Sequence, residues 1–363
     1  MRALLLAAFS MLLAAVAPAA SGDGFASWVA SVGGTIERDA AGGVIGVDLS
    51  SRWIRDPDLA RLSEVETLER IDLSYTWITD LGLEHIKDLP NVRELSLFYC
   101  DYITDGALIP LKNWKELEVL NLEGTDVTSR SFEHLGRMTK LRSLRVGHSR
   151  VEDEGFENLV PLANLEELGF GGTKMSGGAV PLLKMLPSLR KVDLGGKQRT
   201  DSGMWFVAIS DFNLDSLAQL FDLEELRLHE SNISDRGLDR LASLKRLRSL
   251  DLSGTAVTSR ASSALADLGE LVELRLWRAA GFGDEGAGGL HALSRLETLD
   301  LAETSLTDAG LDRLAALESL QRLYLTGSQV SAAGVAEFRT ARPECLVSWQ
   351  PEPNAGPVSQ DGR

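Results

Sequence analysis

The sequence predicts an α/β solenoid, a curved horseshoe with a parallel β-sheet on its concave face and short helices on its convex face. Three observations lead to this fold class. A pattern of 24 or 25 residues recurs from Leu68 onward. Each copy opens with alternating apolar residues, as in Leu120-Asn121-Leu122, which is the period of a strand. Each copy closes with leucines about three residues apart, which suits a short helical segment. Stacked units of this kind bury one continuous core.

Residues 68–343 contain eleven copies, and these begin at Leu68, Val92, Leu117, Leu141, Leu165, Leu189, Leu223, Leu247, Leu271, Leu296 and Leu320. The sixth unit is longer than the others, with 34 residues between starts, and therefore carries a ten-residue insertion. The leucine spacing that resumes at Leu214 places this insertion near 204–213. It contains Trp205 and Phe206. Two interpretations stay open: a binding loop, or a turn that packs its apolar side chains on the solenoid.

Two polar columns are expected to stabilise the bend between strand and helix. An aspartate is expected to accept free N–H groups at the start of the outer segment, and it occurs in seven units as Asp80, Asp105, Asp153, Asp201, Asp235, Asp284 and Asp308. A ninth-position hydroxyl can satisfy the backbone of the bend, and it occurs in eight units as Thr76, Thr125, Ser149, Thr173, Ser231, Thr255, Thr304 and Ser328. Cys100 replaces it once as a small buried residue, and Lys197 and Ala279 depart from the column.

The two ends of the chain are predicted to differ from the repeats. Residues 1–20 have the pattern of a secretory signal peptide, with Arg2, an apolar run and the small residues Ala17-Pro18-Ala19. The run is shorter than the ~20 residues of a spanning helix, so no stable membrane insertion is expected after cleavage. Residues 21–67 are interpreted as an N-terminal cap with a helix, a hairpin and a partial repeat. Residues 344–349 are predicted to add a capping strand, and 350–363 a disordered tail.

These units resemble the leucine-rich repeat family, in its helix-containing type. The signature L-x-x-L-x-L appears as Leu117-x-x-Leu120-x-Leu122, and V/I-T-D-x-G-L follows it in several units, as in exported bacterial proteins and F-box-associated repeats. The resemblance covers roughly 44–349. It implies a solenoid that binds protein ligands, without catalytic residues or a cofactor. The family often has Asn at the ninth position, and this chain has Thr or Ser, so an asparagine ladder is not expected.

Charge and cysteine content restrict the possible partners. The 363 residues have a net charge of −16, which repels phosphate backbones, so nucleic acid is not an expected partner. Cys100 and Cys345 lie about nine units apart, too far for an intrachain disulfide. Neither a metal site nor a disulfide framework is indicated. The chain is expected to be a monomer.

The outward strand positions are where a ligand is expected to bind. The N-terminal candidates are aromatic residues, which are typical binding anchors: Tyr75, Phe98 and Tyr99, with Trp77 and Tyr102 on the adjacent bends. The C-terminal candidates place a tryptophan beside arginines, which suits a carboxylate or an acidic peptide: Arg227, His229, Arg275, Trp277 and Arg278. The glycine-rich middle of the face, within 147–196, is expected to offer backbone more than side chains.

No catalytic motif is found in the sequence. H-E-x-x-H, G-x-S-x-G and phosphate-binding glycine motifs are absent, and the five histidines are His85, His134, His148, His229 and His291. The sequence therefore predicts a non-enzymatic, exported protein, periplasmic, cell-surface or extracellular, that binds a protein or peptide on its concave face. Two alternatives stay open. One is a substrate-recognition subunit of a ubiquitin-ligase-type complex, and the other is cell-wall or polysaccharide binding through the aromatic residues.

Overall fold

The computed structural model describes residues 21–200 and 203–350. Within these ranges the chain forms sixteen strands, namely β1 (Thr35–Arg38), β2 (Val44–Asp48), β3 (Arg70–Asp72), β4 (Glu94–Ser96), β5 (Val119–Asn121), β6 (Ser143–Arg145), β7 (Glu167–Gly169), β8 (Lys191–Asp193), β9 (Lys197–Thr200), β10 (Gly203–Phe206), β11 (Glu225–Arg227), β12 (Ser249–Asp251), β13 (Glu273–Arg275), β14 (Thr298–Asp300), β15 (Arg322–Tyr324) and β16 (Leu346–Ser348). Most have three residues because each unit turns away from the sheet after its second core position.

The strands build one long sheet in chain order, interrupted only by a hairpin. Fourteen of the described strands pair as β1 to β8 and then β11 to β16, while β9 and β10 form a separate antiparallel pair. From β2 onward the neighbours in the long sheet are parallel and in register, so that Leu120 lies beside Leu95 and Leu144. This sheet with short helices behind it confirms the predicted α/β horseshoe with the sheet on its concave face.

Short helical segments form the layer behind the sheet. The α-helices of the described ranges are α1 (Ser21–Ser31), α2 (Asp80–Leu83), α3 (Leu108–Leu111), α4 (Phe132–Leu135), α5 (Leu214–Leu217), α6 (Asp235–Leu238), α7 (Ser262–Ala266), α8 (Asp284–Gly289), α9 (Asp308–Leu314) and α10 (Ala332–Ala341). The 3-10 helices are Asp56–Glu64, Asp105–Ala107, Ser129–Ser131, Phe156–Leu159, Val180–Met185, Asp211–Asn213, Asp239–Ser243, Ser259–Ala261 and Leu290–Ala292. No helix in the described ranges is long and apolar enough to cross a membrane.

The leucine columns form the core between the two layers. In the third repeat Leu117, Leu120 and Leu122 are buried, as are the corresponding residues of the other repeats. Burying one such side chain contributes about 1.5–3 kcal/mol relative to leaving it in water. Each unit covers its neighbours, and the terminal units need other covers. Helix α1 supplies Phe25 and Val29 to the core at one end, and β16 pairs with β15 at the other.

The predicted hydroxyl column stabilises the bend in seven of its eight units, and the exception is Thr173, whose buried Oγ1 has no hydrogen-bond partner among the described residues. Thr76 Oγ1 donates to the Leu73 carbonyl at 2.6 Å, and the hydroxyls of Thr125, Ser149, Ser231, Thr255, Thr304 and Ser328 make the same bond to the residue three positions earlier. Cys100 is buried, and its Sγ lies 3.0 Å from the same Leu73 carbonyl. It replaces the hydroxyl as a small buried group, as predicted.

The aspartate column has a different role from the one predicted. Asp105 does not cap its own helix but accepts bonds from the backbone N–H and Oγ1 of Thr128 in the next unit, at 2.8 and 2.7 Å. The same pair of bonds joins Asp56 to Thr79, Asp80 to Thr104, Asp211 to Ser234, Asp235 to Thr258, Asp284 to Thr307 and Asp308 to Ser331. The helix cap is often the hydroxyl one residue before the aspartate, as where Thr79 accepts from the Leu81 N–H. The aspartates therefore join consecutive units.

The ten extra residues of the sixth unit lie earlier than predicted. They occupy 197–206 and form the β9–β10 hairpin, because regular geometry resumes at Val207. The Ala208 N–H bonds to the Met175 carbonyl, as the Asn232 N–H bonds to the Ile209 carbonyl one unit later. Val207 and Ile209 are buried in the core. The interval 204–213 starts too late, and Val207 rather than Lys197 has the ninth position. Asp201 lies outside the described residues, and Asp211 has the aspartate's place.

Candidate ligand-binding face

The eighth position of each repeat has an unusual backbone conformation. In the described units it adopts a left-handed φ between 51° and 87°, where the chain leaves the sheet. Glycine has this place in five repeats, as Gly124, Gly172, Gly196, Gly254 and Gly327. Six repeats instead have side chains there, which are Tyr75, Tyr99, His148, Glu230, Arg278 and Glu303. A non-glycine residue in this region is strained by roughly 1–2 kcal/mol. Strained side chains therefore line the rim of the outward face.

Six aromatic residues at the N-terminal end of the repeats form two groups of three contacting rings. The aromatic cluster consists of Trp53, Tyr75, Trp77, Phe98, Tyr99 and Tyr102. Trp53 and Trp77 are stacked with centroids 6.1 Å apart, and Tyr102 follows Trp77 at 5.9 Å. Tyr75 and Tyr99 are stacked at 5.6 Å, and Phe98 meets both edge-on. Trp53 is 80% exposed, and Tyr75, Trp77 and Tyr102 are about half exposed (52%, 52% and 51%).

The structure brings Tyr75, Phe98 and Tyr99 together as the sequence predicted, and it adds Trp53. Trp53 belongs to the partial repeat, where Trp53-Ile54 aligns with Trp77-Ile78. That alignment is the signal by which the sequence would have revealed it. The same end of the sheet has a groove of about 530 Å³, lined by residues of β1 to β7. The aromatic cluster lies where the first strands of this groove end.

The C-terminal candidates are engaged mainly with carboxylates of the chain itself. Arg275 lies 2.6 Å from Glu273, and Arg227 lies 2.6 Å from Glu225 and 3.7 Å from Asp193. Arg278 lies over the Trp277 ring at 5.1 Å and approaches Glu303, to which the Trp277 Nε1 also donates. A free carboxylate would have to compete with these partners. Recognition of an acidic peptide by this patch is therefore less favoured than the sequence alone indicated.

The middle of the face is not bare, although glycines form its floor. The His148 ring lies against Gly172 and the His229 ring against Gly195, so closely that a Cβ on either glycine would meet the ring at 2.3–2.4 Å. These glycines make room for imidazoles. The rings line a recess of about 100 Å³ together with Glu123, Asp193 and Arg227. His148 was missed as a site residue because its neighbours in sequence suggested an empty surface.

Buried carboxylates give this recess its electrostatic character. Burial raises the pKa of Glu123 above its ordinary value, and the proximity of His148, 3.8 Å away, offsets part of the rise. Burial also raises the pKa of Asp193. The hydrogen bond from the Gly195 N–H and the nearby His229 and Arg227 lower this pKa, but by less than burial raises it. His229 and Asp251 are also 3.8 Å apart, beyond hydrogen-bond distance. No three His, Cys, Asp or Glu side chains of the described residues are grouped to hold a metal ion.

The two insertion candidates differ in their surroundings. Trp205 is partly buried, with the Lys174 ammonium 4.5 Å from its ring centre, so β10 lies against the fifth unit. Phe206 remains 39% exposed, and Met204 is exposed beside it. The hairpin therefore combines both interpretations left open by the sequence, since it is attached to the solenoid and also presents apolar side chains to solvent.

Comparisons with known proteins agree with this geometry. Residues 66–87 match the family model described as a leucine-rich repeat. A solved internalin of Listeria monocytogenes has a TM-score of 0.58 at 17% identity, over 90% of this chain and 93% of that one. A leucine-rich repeat protein of Leptospira interrogans has a TM-score of 0.51 at 17% identity, over 80% of each chain. No curated protein matches the sequence. At these identities the solved structures show the fold alone.

The fold and its repeats define a solenoid scaffold. Together with the match over 66–87, they confirm the predicted leucine-rich repeat fold. Its outward face contains the strained rim, the aromatic cluster and the central recess.

Proposed function

We propose that this protein is a non-enzymatic binding module that holds a protein or peptide ligand on the concave face of its sheet. The aromatic cluster is the observation that supports this most. Four of its rings are about half or more exposed, and Tyr75 and Phe98 follow the strands β3 and β4, whose residues line the 530 Å³ groove. Tyrosine and tryptophan are enriched among residues that dominate binding energy, and contiguous exposed apolar patches mark interaction sites.

The rest of the outward face supports the same proposal. Its positions vary from unit to unit more than the core and the bends do. The exception is the fifth position, where a recurring Asp or Asn accepts a bond from the backbone N–H two residues later, as Asp72 and Asp251 do. Packing and hydrogen bonding account for the repeated positions. The variable remainder, including strained Tyr75 and Tyr99, is not needed by the fold, because five other repeats have glycine at the same place. Side chains retained at such a cost are candidates for binding.

A library selection tests this function. The mature chain is immobilised, random peptides displayed on phage are selected, and enriched peptides are synthesised and titrated by fluorescence polarisation. Phe98→Ala or Trp277→Ala is expected to weaken binding about tenfold or more. Phe221→Ala is the matched control, because Phe221 is 63% exposed but lies between α5 and β11, away from the outward face. If no peptide is enriched, or if every variant binds like the wild type, the proposal is wrong.

We also propose that the protein acts outside the cytoplasm, as a periplasmic, cell-surface or extracellular monomer. The signal-peptide pattern of residues 1–20 supports export, and these residues lie outside the described ranges. Mass spectrometry of the protein from its native host tests it. A mature chain that begins close to residue 20 is expected. An intact Met1 would contradict export and would reopen the ubiquitin-ligase alternative, which requires cytoplasmic residence.

A further inference from the structure

We infer that the aromatic cluster recognises a basic polypeptide segment, whose arginine or lysine side chains lie against the exposed rings. This inference rests on the proposed function and specifies the chemistry of the partner. Four observations support it: an unoccupied face of Trp53, the parallel arrangement of the rings, a local excess of carboxylates, and the strained tyrosines.

The tryptophans of this chain differ in whether they have a cation of their own. Three of the seven have one, since Arg61 lies 5.4 Å from Trp28, Lys174 4.5 Å from Trp205 and Arg278 5.1 Å from Trp277. Trp114 is buried, and Trp349 is partly buried with its Nε1 bonded to the Val330 carbonyl. Among the described residues, the exposed tryptophans without a cation over the ring are Trp53 and Trp77. Trp77 lies between the rings of Trp53 and Tyr102, so the Trp53 face that is turned away from Trp77 is the one free for a cation from a partner.

The ring geometry suits a flat cation. Trp53 and Trp77 are parallel to within 4°, and Tyr102 is tilted by 32° from Trp77, so one row of rings crosses three units. Trp53 is in ring contact with Trp77 on one side only. A guanidinium group is planar and weakly hydrated, and it stacks favourably on tryptophan. Such contacts are worth ~0.5–1 kcal/mol at exposed sites.

The charge around the cluster favours a cationic ligand. Residues 25–107 contain fifteen Asp and Glu but seven Lys and Arg. Three of the seven are already paired, Arg70 with Glu37, Lys87 with Glu84 and Arg93 with Glu118. Asp101 lies between Tyr99 and Tyr102, is exposed and forms no ion pair with the described residues. Arg52 and Arg55 flank Trp53 in sequence, but neither guanidinium lies over its ring. Complementary charge speeds encounter and rejects acidic competitors.

Tyr75 and Tyr99 extend the ring surface at a conformational cost. Their φ values are 57° and 51°, and the equivalent glycines show that the solenoid needs no side chain there. The Tyr99 backbone N–H bonds to the Glu123 carbonyl, as in other units, so the strain does not bring an additional sheet bond. The two tyrosines therefore place hydroxyl-bearing rings at the rim for a ligand rather than for stability.

A polysaccharide is the competing ligand class, because sugars also stack on aromatic faces. A neutral sugar gains nothing from the acidic surroundings or from unpaired Asp101. The observations therefore favour a basic peptide, and the sugar becomes one outcome of the test.

Three soluble probes decide between these ligands when titrated against the full mature chain. One is a fluorescein-labelled peptide of alternating arginine and glycine, one has citrulline in place of arginine, and one is a chitin hexasaccharide as competitor. The arginine peptide is expected to bind, and the double variant Trp53→Ala/Trp77→Ala is expected to weaken it about tenfold or more. Phe221→Ala is the control and should change affinity less than about twofold, because Phe221 is exposed but lies between α5 and β11, away from the cluster. Asp101→Asn should weaken arginine binding and leave the citrulline peptide unchanged.

Any one of three results would overturn the inference. The first is that the citrulline peptide binds as tightly as the arginine peptide, and the second is that the double variant binds like the wild type. The third is that the hexasaccharide binds at the cluster and displaces the peptide. Circular dichroism verifies that the double variant is folded, which its exposed side chains lead us to expect. If phage-selected peptides still depend on Phe98 or Trp277, the binding function stands without the basic partner. If the selection also fails, the proposed function falls with it.

Discussion

At the residue scale, the eighth position separates what the fold requires from what it tolerates. The bend needs a left-handed φ, which glycine adopts freely and other residues adopt with strain. Tyr75 and Tyr99 could be placed on the outward face from strand alternation alone. The strain in their backbone could not be predicted from the sequence, because neither residue type signals a left-handed bend. Alternation likewise could not place the His148 ring over Gly172, since that contact depends on the direction of the side chain at the bend.

Glu123 provides a prediction of pH dependence at this scale. Burial raises its folded-state pKa, so the ionised carboxylate destabilises the folded protein at neutral pH. This destabilisation disappears as pH falls through the raised pKa toward the ordinary value, because the folded state then binds the proton more readily than the unfolded state. We expect Glu123→Gln to raise the thermal midpoint by roughly 1–2 °C at pH 7.

Calorimetry across pH measures this effect. The difference in thermal midpoint between the Glu123→Gln variant and the wild type should shrink as the pH approaches 4. Glu133→Gln is a suitable control, since Glu133 is exposed on α4 and paired only with Arg137. A Glu123→Gln variant that is less stable than the wild type at pH 7 would show that the contact with His148 outweighs burial.

At the element scale, the β9–β10 hairpin shows where sequence register is insufficient. The period revealed that ten residues were extra, but the choice between 197–206 and 204–213 depended on which apolar residues return to the core. Val207 and Ile209 continue the repeat after the hairpin, and no leucine marks them. The aspartate column was misassigned for a related reason. Its partners are 23 or 24 residues away, so a pattern within one unit could not identify them.

Removal of the hairpin tests this register. Joining Gly196 directly to Val207 leaves a unit of the ordinary length, so the chain should fold with a thermal midpoint within about 3 °C of the wild type. The main loss is the Lys174–Trp205 contact, worth ~0.5–1 kcal/mol. Deletion of 204–213 is the matched control. It removes Val207, Ile209 and Asp211, and should lower the midpoint far more. Equal stability of the two deletions would show that the hairpin is misplaced.

At the scale of the whole molecule, the fold class and the leucine core follow almost completely from the repeat. Side chains at positions one, four and six of each unit are buried wherever the period predicts them, as with Leu165 and Leu168. A solenoid is predictable to this degree because each unit contacts only its neighbours. The ligand is less predictable, since it depends on outward residues such as Trp53 that obey no period.

The linear architecture predicts that identical core mutations differ in consequence with position. Leu168→Ala in β7 and Leu323→Ala in β15 each remove a buried side chain, with an expected local cost of about 2–5 kcal/mol. The central change weakens contacts on two sides within the array and should lower the main thermal transition. The terminal change should mainly increase fraying of β15 and β16. Hydrogen exchange measured by mass spectrometry distinguishes these outcomes, and equal protection patterns in the two variants would contradict a nearest-neighbour solenoid.

The aspartate bridges also bear on how a chain like this changes length over evolutionary time. Asp105 serves Thr128 of the following repeat, and Asp235 serves Thr258 in the same way. Each unit therefore presents an acceptor on one side and a hydroxyl donor on the other. A tandem duplication of one such unit creates a new junction that is chemically identical to the old ones. Lengthening the array would leave no carboxylate or hydroxyl without its bond, so selection could extend the binding surface before any outward residue had to change.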